Sequence, residues 1–246
     1  MRGIIAILCV VLAVLFMMPL SCSSSDSGTK VEILLGMSPL DSAETDESGS
    51  QSVSRGQIQQ TVEILKQRLS AAGYNDFEVK ETGGGMLLVA VSLAAVSEKV
   101  EVAQVENLLI RQGVLEFREQ KSDGISSASE WSTAMDGSLI DRESVTFSTG
   151  NDRATKEIAF SFNEKGKKLF EEITARNRGR TLGIFLDGKL LTAPTVMEAI
   201  RDGKAVITGA YHNTESEFRE WAACLRQPPL PVQLTVKKTE IKVPQR

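Results

Sequence analysis

The chain has 246 residues, of which 41% are hydrophobic and 24% are charged, and its formal net charge is −4. This length allows one large domain or two small ones. The acidic balance and an aromatic content of only 5% argue against a nucleic-acid-binding protein, because phosphates require a basic face and bases stack on aromatic side chains.

The N-terminus is typical of an export signal. Arg2 precedes an uncharged apolar run over residues 3–20, and a Ser-rich segment follows this run. The Ser21-Cys22 pair is similar to the end of a bacterial lipoprotein signal, in which the cysteine takes the lipid and becomes the new N-terminus. Three alternatives stay open: a lipid on Cys22, a retained membrane anchor, and simple cleavage of the signal. All three place the folded part outside the cytoplasm, behind a flexible tether.

Cysteine usage predicts no disulfide framework. Cys9 lies in the signal, so a lipid on Cys22 would leave Cys224 without an intramolecular partner. Cys224 lies between Trp221 and Leu225 on a predicted helix, and we expect it to be a small buried hydrophobic residue.

The first half of the chain predicts the order β-α-β-β-α-β. The strands are predicted over 31–35, 77–80, 86–91 and 114–119, and the helices begin at Ser54 and Ser97. Ser54 and Gln57 form a capping-box pattern, and Gly73 ends the first helix. Two helices on one face of an antiparallel sheet give the ferredoxin-like α+β pattern.

The second half predicts a smaller α+β unit. The polar segment 121–150 is interpreted as a linker or insertion. Alternating strands follow over 158–162, 182–186 and 232–236, with a further strand near 204–209 and helices opened by Asn163 and Thr214. Thr214 and Glu217 form a second capping-box pattern. We therefore divide the chain into a signal or anchor (1–21), a tether (22–30), a ferredoxin-like base (31–120), a linker or insertion (121–150), a head subdomain (151–211) and a C-terminal helix and strand that return to the base (212–246).

Asp187 is the one residue that decides between an enzyme and a binding protein. An Asp-Gly pair between two alternating strands is a strong signal for a hairpin turn, because both turn residues need positive φ. A catalytic Asp would need a partner for proton transfer, and no second carboxylate, Ser or His stands at a telling spacing. His212, the only histidine, precedes a helix and is interpreted as a surface residue.

Metal and phosphate sites are equally unsupported. One histidine and one free cysteine give no metal cluster, and no Lys-Ser or Lys-Thr follows the glycines at 83–85 as a phosphate loop requires. We predict that the chain is no enzyme and uses no cofactor and no metal.

The segment "LDGKLLTAPTVMEAIRDGKAVITGAY" resembles the translocation protein family SecD. The matching motif residues to which we give a structural role are Asp187, Gly188, Ala193, Pro194, Gly203 and Gly209, with Arg226 and Pro231 downstream. Upstream, "ILKQRLSAAG" and "LEFRE" are similar to further motifs of the same family. The family's Leu-Asp-Leu-x-Gly-Gly motif after the first strand is missing.

The resemblance implies a ferredoxin-like base with an inserted head, which in the family captures preprotein emerging from the Sec channel. The family's further membrane helices have no counterpart before Arg246, so we expect a stand-alone form that conducts no protons by itself. The implied partners are unfolded or exported polypeptide, Sec translocon subunits and the membrane.

We expect polypeptide to pair with an exposed strand edge of the head. The residues predicted to bind it are Phe185, Lys189, Leu191, Pro194, Val206 and Thr208. Two alternatives stay open: a scaffold lipoprotein of another envelope complex that kept the fold, and an envelope hydrolase, for which no nucleophile and base are found.

Overall fold

The computed structural model describes residues 29–40, 52–93, 98–120, 131–149, 155–208 and 214–243. The predicted signal or anchor, Cys22 and most of the tether lie outside these residues, as do Gly209 and His212. Within the described ranges the fold is α+β, as predicted, with four helices and three antiparallel sheets.

The helices and strands are numbered in chain order. They are β1 (Thr29–Ser38), α1 (Arg55–Ala72), β2 (Phe77–Gly83), β3 (Met86–Leu93), α2 (Glu98–Ile110), β4 (Leu115–Gln120), β5 (Trp131–Asp136), β6 (Ile140–Thr149), β7 (Lys156–Phe162), α3 (Glu164–Arg176), β8 (Leu182–Leu186), β9 (Lys189–Thr192), β10 (Lys204–Thr208), α4 (Glu215–Leu225) and β11 (Gln233–Lys242). None of the helices in the described ranges combines the length and the apolar composition needed to span a bilayer.

The base is a four-stranded sheet in the order β11-β1-β3-β2, packed against α1 and α2. β3 lies between two strands and is apolar on both faces, as expected for a central strand. Alternate residues of β1, such as Val31, Ile33 and Leu35, are fully buried and meet the apolar stripes of the two helices in one core.

The last strand of the base is not the one that the sequence predicted. The predicted strand 114–119 corresponds to β4, which pairs with β5 and β8. The place beside β1 is taken by β11. The prediction was wrong because alternation shows only that one face of a strand is buried, not which sheet it joins. Leu115 and Phe117 of β4 bury that face in the head.

The head contains two sheets, β10-β7-β6 and β5-β4-β8-β9, together with α3. Residues 131–149, predicted within a linker or insertion, form β5 and β6 instead, and their few apolar side chains gave no continuous pattern. Phe117, Phe160, Phe162 and Phe170 meet in the core, with ring centroids 4.7 to 6.4 Å apart. Aromatic pairs at such distances favour tilted and edge-to-face packing, so this cluster joins strands of both sheets.

Helix α4 belongs to both cores. Phe218, Trp221 and Leu225 are buried in the head, whereas Ala223 and Cys224 are buried in the base. Cys224 is fully buried, as predicted, and this burial raises the pKa of its thiol. α4 also has the predicted capping box between Thr214 and Glu217. Any movement of the head against the base would have to involve this helix.

The C-terminal end of α2 is capped by a buried arginine side chain from α1. The Arg68 side chain on α1 is fully buried, and its guanidinium donates to the carbonyl oxygens of Leu108 (3.4 Å), Arg111 and Gln112 (2.9 Å). The last carbonyls of a helix lack intrahelical partners, and a cation there also interacts favourably with the helix dipole. A Cβ at Gly113 would lie 2.7 Å from the Arg68 Nη2 atom, so this position has no room for a side chain.

Candidate functional site

The Asp187-Gly188 pair forms the turn between β8 and β9, as predicted. Leu186 pairs with Lys189, and φ is 50° at Asp187 and 74° at Gly188. Positive φ at both central residues is the geometry of a two-residue turn whose twist matches the strands of a hairpin. Asp187 is the only non-glycine residue with positive φ among the described residues.

The Asp187 side chain also accepts hydrogen bonds that the turn does not require. Its Oδ1 atom accepts hydrogen bonds from the main-chain nitrogens of Gly113 (2.7 Å) and Val114 (2.8 Å). The Asp187 nitrogen donates to the Val114 carbonyl oxygen at 2.8 Å, and Arg111 Nη1 lies 3.8 Å from Oδ2. The carboxylate therefore fastens the hairpin to the segment that leaves α2.

In this geometry the Asp187 carboxylate holds two segments of main chain together. Both hydrogen-bond donors of Oδ1 are main-chain amides, which hold a carboxylate in place and offer it no proton to transfer. Across the described part of the chain, no group of His, Cys, Asp and Glu side chains could hold a metal ion. Sequence reasoning missed the contact with Gly113 because the two residues are 74 positions apart.

An apolar cavity of about 600 Å³ opens on the head. Its lining comes from α3, β4, β8, β10 and the segment 194–200, and includes Phe117, Ile184 and Val196. Met197 is 78% exposed and Val206 is 49% exposed. Both residues line the same cavity, so it has a solvent-exposed apolar rim. We call the cavity with these two residues the head groove.

Strand β10 gives the head groove an open strand edge. Within the described ranges, β10 pairs only with β7 and is the outer strand of its sheet. The Phe162 nitrogen donates to the Gly203 carbonyl oxygen. In the antiparallel pairing with β7, the main-chain groups of residues 203, 205 and 207 therefore form the hydrogen bonds to β7. The main-chain groups of Lys204, Val206 and Thr208 consequently point to the open edge, where the Lys204 nitrogen already donates to Asp202 Oδ1 at 3.1 Å.

The residues predicted to bind polypeptide do not form one surface. Pro194 and Val206 line the head groove, and Thr208 lies exposed on the same strand as Val206. Lys189 and Leu191 lie on β9, the outer strand of the other sheet.

Phe185 lies on β8, opposite Leu190 of β9, but its side chain is buried. It is 5% exposed and packs edge-to-face on Trp131, with the Arg118 guanidinium 4.4 Å from its ring centroid. Met197, which nothing in the sequence pattern marked, is instead the most exposed large apolar side chain in the described ranges.

The remaining motif residues lie outside the head groove. Gly203 has φ of 70°, and a Cβ there would lie 2.8 Å from the Lys167 side chain. Arg226 Nε donates to the Val145 carbonyl oxygen at 3.1 Å, and the Pro231 carbonyl oxygen accepts from Gln57 at 3.3 Å. Ala193 follows β9 and is partly buried.

Comparisons with known proteins point to one family. Residues 112–232 match the family described as the SecDF P1 head subdomain. The protein translocase subunit SecD of Acidaminococcus fermentans is 31% identical over 179 residues, which is 73% of this chain and 38% of that protein. The SecD of Rickettsia felis is 47% identical over 79 residues, which is 32% of this chain and 15% of that protein.

Solved structures support the same fold. A SecDF crystal structure in a super-membrane-facing form superimposes with a TM-score of 0.66 at 22% identity, covering 88% of this chain and 30% of that one. A second structure, of a membrane component SecDF that enhances protein export, has a TM-score of 0.61 at 24% identity and covers 84% of this chain and 98% of that one. The chain spans well under half the length of the SecD relatives that it matches.

Proposed function

Because this chain is SecD-like and carries a SecDF P1 head subdomain over residues 112–232, we propose that it binds extended polypeptide in the head groove and so assists protein translocation. The proposed base consists of residues 29–110 and 233–243, with the head inserted between α2 and β11. No reaction is proposed, since binding and release of a polypeptide need no catalytic group.

The observation that carries this proposal is the combination of an open strand edge and an apolar cavity at β10. An extended polypeptide can hydrogen-bond to the outward main-chain groups of Val206 and Thr208 and to the Lys204 carbonyl oxygen. Main-chain pairing is independent of the client's sequence, which suits a protein that handles many exported chains. The exposed rim residues Met197 and Val206 supply a surface that adapts to different side chains.

The head groove has room for one large apolar side chain of the bound polypeptide. Burial of such a side chain contributes about 1.5–3 kcal/mol. A few main-chain hydrogen bonds add about 1 kcal/mol each, and ordering the extended segment offsets much of the sum. We therefore expect weak, reversible binding, which allows each client to be released.

We further propose that the chain is held at the outer face of a membrane by its N-terminal segment, either through a lipid on Cys22 or through the apolar run as an anchor. The support is the sequence pattern of residues 2–22, which lie outside the described ranges. Sec translocon subunits are the proposed fixed partners, on the strength of the similarity to SecD.

Photo-crosslinking in living cells tests the polypeptide-binding proposal. A photoreactive residue at Met197, on the rim of the head groove, is compared with one at Val243, an exposed apolar position in the base. We expect Met197 adducts with many newly exported proteins and few such adducts from Val243. A single fixed envelope partner at Met197, without exported clients, would overturn the proposal in favour of the scaffold alternative.

A further inference from the structure

A second cavity, of about 470 Å³, lies at the junction of α1, β3, α2 and α4 and shares no lining residue with the head groove. Its ionisable lining is mainly acidic, with carboxyl groups of Asp76, Glu101 and Glu220 and the phenol of Tyr74. Ala72 and Leu93 add an apolar part to the wall. Because α4 contributes to both cores of the molecule, the cavity lies where the base and the head meet.

Glu220 is the unusual member of this lining. It is only 6% exposed, and its Oε1 atom is buried with no hydrogen-bond partner among the described residues. A buried carboxylate without a partner is costly, and burial raises the pKa of Glu220 to about 7, with Arg111 lowering the pKa and Glu217 raising it further. An opposite charge in the cavity would remove this cost.

Several other polar groups around the cavity have partners within the protein. The Ser92 hydroxyl donates to Asp76, and Gln104 Nε2 donates to Ser216 Oγ at 2.9 Å. Arg219, the one cationic side chain in the lining, is held by Glu215 at 2.6 Å and lies 5.0 Å from the Phe147 ring centroid. The Arg219 guanidinium is therefore paired with Glu215 rather than with Glu220.

Tyr74 provides a second sign of uncompensated negative charge. Its pKa is raised to about 12 by burial, and by the nearby carboxylates of Glu220 and Glu101. A phenol resists ionisation in such surroundings because a further negative charge would be repelled. The same field attracts a cation.

We propose that this cavity is a binding site for an alkylammonium group. An ammonium has three donors, which can pair with the carboxyl groups of Glu220 and Glu101 that line the cavity, and its alkyl stem can lie against Ala72 and Leu93. An organic cation fits better than a metal ion, because the described residues include no cluster of metal-binding side chains. The alkylammonium group could belong to a lysine side chain of a polypeptide or to a small free amine.

Binding must depend on pH, because only the ionised Glu220 attracts the ammonium. With the Glu220 pKa at about 7, affinity should be about tenfold weaker at pH 6 than at pH 8. The charged or titratable groups that surround Glu220 on the packed elements are Tyr74 and Asp76 after α1, Glu101 and Arg111 on or after α2, and Glu217 and Arg219 on α4.

Fluorine NMR of the full chain labelled with 3-fluorotyrosine tests the proposal. The chain has two tyrosines, and the Tyr74 signal is assigned with a Tyr74→Phe variant. The probe is n-butylammonium chloride, titrated at pH 6 and pH 8 into the unsubstituted chain, Glu220→Gln and Glu63→Gln. Glu63 is an exposed acidic residue of α1 that does not line the cavity and serves as the matched control.

We expect a saturable shift of the Tyr74 signal, about tenfold tighter at pH 8, that is lost in Glu220→Gln and kept in Glu63→Gln. The absence of saturation, or equal binding by a folded Glu220→Gln variant, would overturn the proposal. Repeating the titration with N-acetyl-lysine amide, whose only cation is the side chain, separates the sources. Binding of this compound supports a polypeptide lysine, and binding of n-butylammonium alone supports a small amine.

Discussion

The carboxylate of Asp187 accepts a hydrogen bond of 2.7 Å from the main-chain nitrogen of Gly113, which joins the tip of the head hairpin to the exit from α2. Asp187 tolerates the positive φ of the turn, and its short side chain places an acceptor directly against two successive main-chain amides. On the other side of Gly113, Arg68 closes the end of α2. The segment that connects the base to the head is thus held in place by the Asp187 carboxylate and the Arg68 guanidinium.

Asp187→Ala should destabilise the protein by about 2–4 kcal/mol, because it removes a charged acceptor and leaves the amides of Gly113 and Val114 without it. Asp187→Asn keeps an acceptor oxygen and tolerates positive φ, so its cost should stay near 1 kcal/mol, about the worth of a neutral hydrogen bond. Urea unfolding followed by circular dichroism measures both values. Equal losses for the two variants would show that the acceptor at this position is unimportant.

Arg68→Met should cost about 2–4 kcal/mol. The aliphatic part of the side chain is retained, while the carbonyls of Leu108, Arg111 and Gln112 lose their buried donor. Arg55→Met, at an exposed position on the same helix, should change stability by less than about 0.5 kcal/mol. The same urea titration provides the comparison, and a small effect of Arg68→Met would remove the helix-capping role assigned here.

Local patterns predicted the local structure correctly. The capping boxes of α1 and α4, the glycine that ends α1 and the Asp-Gly turn each depend on residues within a few positions of one another. Such signals act through main-chain geometry and short-range hydrogen bonds, and both depend only on residues that are close in sequence.

The errors concern partners that are distant in sequence. The sequence predicts that the C-terminal strand returns to the base but does not identify its partner, and β11 pairs with β1 across most of the chain, with Leu34 opposite Lys238. β4 has the alternation of any half-buried strand, and it joins the head because the head supplies the complementary apolar face. The contact of Asp187 with Gly113 was missed for the same reason.

Val206→Pro should weaken polypeptide binding without unfolding the head. The Val206 main-chain nitrogen points to the open edge of β10, so proline at this position removes a donor for the client but none from the pairing with β7. Val206→Thr keeps this donor and a β-branched side chain. Binding of an extended apolar peptide, measured by fluorescence anisotropy, should fall at least threefold for Val206→Pro relative to Val206→Thr. Equal affinities, with both variants folded, would argue against pairing at this edge.

Glu220 should make the stability of the protein depend on pH. Burial raises its pKa from the ordinary 4.5 to about 7, so the folded protein binds the proton more tightly than the unfolded chain does. Between these two values the folded state holds more protons, so the free energy of unfolding falls as the pH rises. The stabilising effect is complete below about pH 4.5 and is lost as the pH passes 7, for a total of about 3–4 kcal/mol.

The Glu220→Gln variant isolates this contribution, because glutamine has nearly the same shape and does not titrate. Relative to the unsubstituted chain, the variant should gain about 2–3 kcal/mol of stability between pH 5 and pH 8. Glu63→Gln, at an exposed site on α1, should follow the unsubstituted chain at both pH values. Urea unfolding at pH 5 and pH 8 gives the free energy of unfolding of the unsubstituted chain, Glu220→Gln and Glu63→Gln at both pH values. Parallel pH dependence in all three proteins would mean that the Glu220 carboxyl is already ionised and compensated within the fold, and the cavity would then have no unpaired charge to offer a cation.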